Sequence, residues 1–368
     1  MIYKVPFVSY KIQYKNLKTE IDRAIARVLG NGDLILRKDV EDFENNLAKF
    51  VGTKYAVGLN SGTDALFLPL KAAGIGKGDE VITVSHTFVA SISVIVQTEA
   101  KPVLVDVADD FLMNTDRIEK VITPKTKAII PVHLNGRMCD MDKLMRIAKK
   151  HNLIVIEDTA QALGAKYKGK MAGSFGLTGC FSFYPAKILG CFGDGGAITT
   201  NNLKIAENIR YLRDHGQKSK IEIVFFGWNS RLDNLQAAIL NVKFKYLTGW
   251  IKKRRKTAEI YNKGLSGISE IKLPPPPGSD HKYFDVYQNY VLRAQRRDKL
   301  SLFLKEKGVE TLIKDLVANH LHSKLGLSRF KLPLTEKLAR EVISLPMYPE
   351  LTGRQIEYVI KSVREFYE

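Results

Sequence analysis

Asp158 closes an apolar run, and 29 positions later Lys187 ends the aromatic segment Phe181-Ser182-Phe183-Tyr184-Pro185-Ala186-Lys187, just ahead of a glycine-rich turn. A lysine is a weak nucleophile while protonated, with an ordinary pKa of about 10.4, and becomes useful when its surroundings depress that value. The aromatic segment offers such surroundings. The competing reading is a lysine whose stem snorkels past the aromatics to the surface. Asp158 favours the first. A carboxylate at the buried end of a strand stays charged only with a partner, and a protonated pyridine nitrogen is such a partner. A Schiff-base lysine combined with an aspartate on that nitrogen is the arrangement by which proteins hold pyridoxal phosphate. Asp158 can also be read as the N-cap of a helix beginning at Thr159, and the two roles are compatible. Phosphate binding needs backbone N–H groups at a helix start. Asn60-Ser61-Gly62-Thr63-Asp64-Ala65-Leu66 supplies a strand-to-helix turn with hydroxyls, a pattern that plain capping also produces. Gly190, Gly193, Gly195 and Gly196 precede a strand rather than follow one, so they lack the context of a dinucleotide fingerprint.

The elements that must carry these residues follow from the apolar pattern. Short apolar runs at 55–59, 80–84, 102–106, 128–132 and 153–158 alternate with helical stretches such as 141–150. This is the pattern of a largely parallel sheet covered by helices, whose ligands bind at the carboxyl ends of the strands. Ser61-Gly62-Thr63, His86-Thr87-Phe88 and Asp158 fall at such ends. A long basic helical stretch over 229–261 leads away from this unit, and a proline run at 274–277 punctuates the chain beyond it. The domain boundary is therefore expected near residue 246, with 1–245 as the large domain and 246–368 as a smaller α/β domain containing a strand over 286–292 and a final helix over 353–367.

The 368 residues carry a formal charge of +18, which raises the question of a nucleic-acid partner. The basic residues are scattered apart from one run, 252–256, and no recognition motif accompanies them. That run reads as a solvated helix face, and the overall charge suits anionic substrates; no nucleic-acid partner is expected. No window is long and apolar enough for a membrane span and the first residues lack a long apolar stretch, so a cytoplasmic protein is expected. Cys139, Cys180 and Cys191 show no paired spacing and read as reduced structural thiols, with no metal site. His86, His133 and His215 read as structural or peripheral.

Five segments, in order and at sensible spacing, resemble the DegT/DnrJ/EryC1/StrS aminotransferases: 60–66, 86–91, 157–164, 181–196 and 227–238. The resemblance implies a fold-type I pyridoxal-phosphate transferase, with a central, mostly parallel seven-stranded sheet, helices on both faces, and a smaller C-terminal α/β domain. It implies that Lys187 binds the cofactor covalently and then shuttles protons, with pyridoxamine phosphate as the alternate form, and that Asp158 holds the ring nitrogen protonated. Phe88 resembles the residue stacked on the ring, and Gln161 the one near its hydroxyl. Ser61, Gly62, Thr63 and Ser182 correspond to phosphate-binding positions. Asn229 corresponds to a residue reaching the phosphate from a neighbouring subunit, which implies a homodimer with shared sites. Tyr184, Arg231 and Lys314 are candidates for the substrate, with packing for Tyr184 and a structural ion pair for Arg231 as alternatives; Phe88 as core and Gln161 as helix surface are also open. The implied reaction takes an amino group from L-glutamate to a nucleotide-linked keto-sugar, with the keto group at carbon 3 favoured over carbon 4. Where many members have Tyr, Gly and His, this sequence has Asn135, Arg37 and Lys314. A dehydratase of the same fold would carry histidine at Lys187. A keto-inositol substrate, or a regulatory protein without turnover, remain the rival readings.

Overall fold

The computed structural model describes residues 3–314 and 316–368. Two long helices, α1 (Tyr10–Asn31) and α2 (Lys38–Val51), precede β1 (Tyr55–Leu59), α3 (Gly62–Ala72), β2 (Glu80–Val84), α4 (Ala90–Gln97), β3 (Lys101–Val105), β4 (Thr126–Ile129), α5 (Met141–Lys150) and β5 (Ile154–Asp158). A short hairpin, β6 (Lys166–Tyr167) and β7 (Lys170–Met171), leads to β8 (Thr178–Ser182), β9 (Gly196–Thr200) and α6 (Leu203–Leu212). After it come a second hairpin, β10 (Gln217–Ser219) and β11 (Glu222–Ile223), then α7 (Asn234–Phe244) and α8 (Leu247–Leu265). The chain ends with β12 (Ile271–Lys272), β13 (Tyr283–Phe284), β14 (Tyr290–Ala294), α9 (Arg297–Glu306), α10 (Pro333–Glu341), β15 (Val342–Leu345) and α11 (Gly353–Tyr367).

Seven strands form the main sheet in the order β1-β9-β8-β5-β4-β2-β3. The four pairings from β8 through β5, β4 and β2 to β3 are parallel, and β9 runs against both its neighbours. The strands are buried almost throughout, as a sheet covered on both faces requires. α5 shows how a covering helix is specified. Asp140 caps it by accepting from the Lys143 N–H, Met141, Leu144, Ile147 and Ala148 form its buried stripe, and Lys149 and Lys150 sit in the last turn, opposite in sign to the carbonyl end of the dipole. Because the parallel strands end together, the loops after β1, β2, β5 and β8 gather at one edge.

A three-stranded antiparallel sheet, β12-β14-β15, holds a second core with Tyr261, Tyr290, Leu300, Leu304, Ile343 and Val359. Val5 joins this core and pairs with Val309, so the start of the chain packs with its end. Leu247, Trp250 and Ile251, at the start of α8, belong to the core of the main sheet.

Three expectations need correction. The helical stretch over 229–261 is two helices with a break at Lys245–Tyr246, and it begins only at Asn234, because Arg231 and Asp233 pair as extended backbone with Leu59 and Ile35. The strand over 286–292 starts at Tyr290. Tyr287 lies at φ +50°, a left-handed conformation that no strand residue adopts, and the chain reaches the sheet only beyond it. The basic run over 252–256 is not all solvated face: Arg254 is buried and donates to the carbonyls of Tyr287, Gln288 and Met347, while Arg255 lies 3.9 Å over the Phe284 ring. Among the described residues no helix is long and apolar enough to cross a membrane.

Candidate active site

The loop after β1 turns into α3 at Ser61, whose backbone is extended and whose Oγ accepts from the Asp64 N–H at 3.1 Å. Gly62 opens the helix against the end of β8. A Cβ there would lie 2.6 Å from Cβ of Ser182, and one on Gly196 would lie 2.1 Å from the Ser61 carbonyl oxygen. Three backbones therefore meet where only glycine fits. The N-terminus of α3, with Thr63 in its first turn, faces this junction with its partial positive charge and free backbone donors, the features of an anion site. Asp64, in the same turn, is engaged by the Ser230 hydroxyl at 2.6 Å.

Asp158 ends β5 and is buried. Ser91 donates to its Oδ2 at 2.7 Å and the Ala160 N–H to its Oδ1 at 3.1 Å. No helix follows: Thr159 Oγ1 donates to the Cys180 carbonyl and the chain continues in turns. The N-cap reading of Asp158 is thus replaced by a tight side-chain turn. Phe88, three residues before Ser91, is 61% exposed, so it is not core. Gln161 is buried, not on a helix surface, and its Oε1 accepts from the Asn135 N–H at 2.9 Å and from Asn289 Nδ2 at 3.4 Å.

Lys187 sits in the loop between β8 and β9. Its N–H donates to the Tyr184 carbonyl at 2.8 Å, and the loop folds back so closely that a Cβ on Gly190 would lie 2.6 Å from the Pro185 oxygen. Ile188 and Leu189 are buried beneath it. Burial, then the positive charge of Lys314, pull the Lys187 amine down to about 8, against the opposing pull of Asp158. Two contacts steady the loop that the sequence did not signal. Gln288 bonds the backbone on both sides of Lys187, and buried Lys243 donates to the Gly190 carbonyl at 2.6 Å with its ammonium 4.1 Å over Phe192. Ser91 lies in the segment 86–91 that resembles the family, with no role implied for it there; Gln288, Asn289 and Lys243 left no local sign, because they act from 50 to 130 residues away.

The remaining candidates divide between exposed positions and paired or buried ones. Ser182 is half-buried and accepts from the Tyr184 N–H at 3.3 Å. Tyr184 is exposed rather than packed in the core, and Lys314 is half-buried within electrostatic reach of Lys187 and His86. Asn229 is exposed, and Arg231 is paired with Asp214, the structural alternative considered for it. His86 is buried and stacked on Phe111; burial and then Lys314 push it down to about 4, so it is neutral at physiological pH. His133 is structural in a way the sequence concealed. Its Nδ1 accepts from the Cys139 N–H, leaving Nε2 to donate to buried Glu157, which also accepts from the N–H groups of Gly173, Phe175 and Gly176. His215 is exposed, and the three cysteines are buried and free.

With this geometry in view, the sequence profile of the DegT/DnrJ/EryC1/StrS aminotransferase family matches residues 15–364. A Geobacillus stearothermophilus protein named pleiotropic regulatory protein is 44% identical over 99% of this chain and 98% of its own. The dTDP-3-amino-3,4,6-trideoxy-alpha-D-glucose transaminase of Streptomyces venezuelae is 42% identical over 99% of this chain and 97% of its own. The X-ray structure of S. venezuelae DesV superposes with a TM-score of 0.96 at 42% identity, covering 100% of this chain and 99% of that one.

Proposed function

The chain belongs to the DegT/DnrJ/EryC1/StrS aminotransferase family, and on that premise we propose that it carries an amino group from L-glutamate to a nucleotide-linked sugar with a keto group at carbon 3. It is a pyridoxal-phosphate-dependent aminotransferase. The residues present fit that cofactor. The junction of Gly62, Ser182 and Gly196, which a Cβ would fill, opens on the N-terminus of α3 and suits the phosphate, together with Ser61 and Thr63. Asp158, fixed by Ser91, suits the ring nitrogen; exposed Phe88 suits the ring face; Gln161 suits the ring hydroxyl. The single observation that carries the reading is the gathering at one sheet edge of Lys187, of Asp158 fixed by Ser91, and of the glycine junction at the start of α3.

When bound, the cofactor supplies a carbonyl for amine exchange and a ring that draws electrons from the neighbouring carbon. The chain supplies the rest. Lys187 would hold the cofactor covalently, and its free amine, partly neutral at physiological pH, would be able to accept a proton and return it. The charge of Asp158 keeps the ring nitrogen protonated, and Ser91 and the Ala160 N–H keep that carboxylate in one orientation. Tyr184 and Lys314 border the same loop and are our candidates for contact with substrate; Arg231 is a weaker one, given its bond to Asp214.

In this reading 1–245 bind the cofactor and 246–368 form the smaller domain, with Gln288 and Lys314 reaching the Lys187 loop and Asn289 reaching Gln161. The active form is a homodimer. Support comes from the β10–β11 hairpin and the segment after it, where Ile221 and Phe226 are both 98% exposed beside exposed Asn229, an apolar surface suited to a second copy. Asn229 would then serve the partner's phosphate site. Carbon 3 rests on the name of the S. venezuelae relative and on the sequences over 187–196 and 231–236. The name of the G. stearothermophilus relative favours a second reading, a regulatory protein that retains the cofactor without turnover. One experiment separates them: the visible absorbance of the purified holoprotein, with and without L-glutamate, beside Lys187→Ala. Bleaching in the wild type and none in the variant supports the aminotransferase; a yellow protein indifferent to every amino donor supports the regulator.

A further inference from the structure

The peptide on each side of Lys187 lies in a loop between two strands and has no strand partner. One side chain takes the place of that partner. Gln288 is buried, and its Oε1 accepts from the Ile188 N–H at 2.8 Å while its Nε2 donates to the Ala186 carbonyl at 2.8 Å. A side-chain amide carries an acceptor and a donor side by side, so it can bond two backbone groups flanking a residue as a neighbouring strand would. The backbone that carries this amide is itself held. Arg254, buried, donates to the carbonyls of Tyr287 and Gln288 at 3.2 Å each and to that of Met347 at 2.9 Å. On the other side Gly136, at φ +94°, lets the 135–136 turn approach so closely that a Cβ there would lie 2.8 Å from the Gln288 nitrogen. The Lys187 loop is therefore tied to the framework of the C-terminal sheet, about 100 residues away in sequence.

We propose that Gln288 is a positioning residue for Lys187, fixing the backbone at Ala186 and Ile188 and thereby the place of the reactive amine relative to Asp158. The next residue extends the arrangement, since Asn289 Nδ2 bonds Gln161 Oε1 and Asn135 Oδ1. Two consecutive residues thus brace the lysine and a residue assigned to the cofactor's ring. Removing the amide leaves a buried N–H and a half-buried C=O without this partner, and the loop is then free to shift. A shift of about 1 Å in a reacting group can slow a reaction on the order of a hundredfold.

The proposal rests on the reading of Lys187 as the residue that holds the cofactor and moves the proton, and the test keeps the two apart. Holoenzyme of wild type, Gln288→Met and Gln288→Asn is compared; Met removes both bonds, and Asn, one methylene shorter, cannot reach both groups. Three quantities are read: the single-turnover rate of bleaching by L-glutamate, its dependence on glutamate concentration, and the pH midpoint of the visible absorbance. Both variants are expected to bleach about tenfold or more slowly, with half-saturation by glutamate changed less than about threefold and the pH midpoint displaced. A lower melting temperature with rate and midpoint unchanged would make Gln288 merely structural and overturn the proposal. If Gln288→Met does not fold, Gln288→Asn alone decides by the same readings. A wild type that takes up no pyridoxal phosphate would overturn the role of Lys187 and this proposal with it.

Discussion

A lysine whose amine titrates near 8 rather than near 10.5 should declare itself when the apoprotein takes up pyridoxal phosphate. At pH 7 an amine of pKa about 8 is roughly one-tenth neutral, whereas one of ordinary pKa is neutral in about one molecule in 3000, a ratio of roughly 300. Only the neutral amine attacks. The rate of cofactor capture, followed in a stopped-flow instrument from pH 5.5 to 10, should therefore rise about tenfold per pH unit through 7 and level off near 8. Dividing by the rate constant of Nα-acetyl-lysine per neutral ε-amine, measured under the same conditions, removes the cofactor's own titration and leaves that of Lys187. The causes fix the signs of two variants. Lys314→Met removes a positive neighbour that disfavours the charged amine, so its midpoint moves to higher pH. Asp158→Asn removes a negative neighbour that favours it, so its midpoint moves lower. A rate that keeps climbing tenfold per unit to pH 9.5 would mean a solvated lysine, and the argument from desolvation would be wrong.

Buried Lys243 gives a stability test with a different sign to work out. It sheds its proton at about 8 in the folded chain, chiefly through burial, and near its ordinary 10.5 in the unfolded one. Between those values the unfolded state binds more protons, so this residue makes stability rise with pH from about 8 to 10; the rise should be missing from denaturant titrations of Lys243→Met. Gly62→Ala drives a Cβ to 2.6 Å from Ser182 Cβ and should cost about 1–3 kcal/mol together with about tenfold or more in cofactor affinity. Gly249→Ala, in α8 with nothing within 4 Å of the new Cβ, is the control and should leave cofactor binding, measured by fluorescence titration, unchanged. The double variant Ile221→Asp with Phe226→Asp should convert a dimer to a monomer in sedimentation equilibrium; a wild type already monomeric would count against the shared site.

Periodicity and strand ends encode the part of the fold and site that is legible in the chain itself. The run over 153–158 is apolar because β5 is covered on both faces, and Asp158 stands out because a carboxylate ends that run; the turn over 60–63 stands out because hydroxyls and a glycine interrupt another. Where the sequence misleads, a tertiary contact has overruled a local preference. Thr159 donates its hydroxyl to Cys180 in place of starting a helix, Tyr287 leaves the strand conformation, and Arg254 is drawn inside by three carbonyls despite its four basic neighbours over 252–256.

The residues that escaped notice share one property: their partners are backbone groups or lie far off in sequence. Gln288 bonds an N–H and a C=O that any residue would present, and Lys243 bonds the carbonyl of a glycine. Nothing in the type or spacing of the receiving residues can therefore announce the donor. Glu157 and His133 illustrate the same limit from the other side. Both are conspicuous in sequence, and Glu157 is the neighbour of Asp158, yet alternation along a strand sends the two carboxylates to opposite faces. One meets His133 and three backbone N–H groups in the interior. The other meets Ser91 at the edge where the loops gather. A carboxylate with four donors is already satisfied and has no capacity to spare for a ligand, whereas Asp158, with two side-chain oxygens each engaged once, retains lone pairs for one more donor. That difference in unfilled capacity, more than burial, is what sets the acid we propose for the cofactor apart from the structural one.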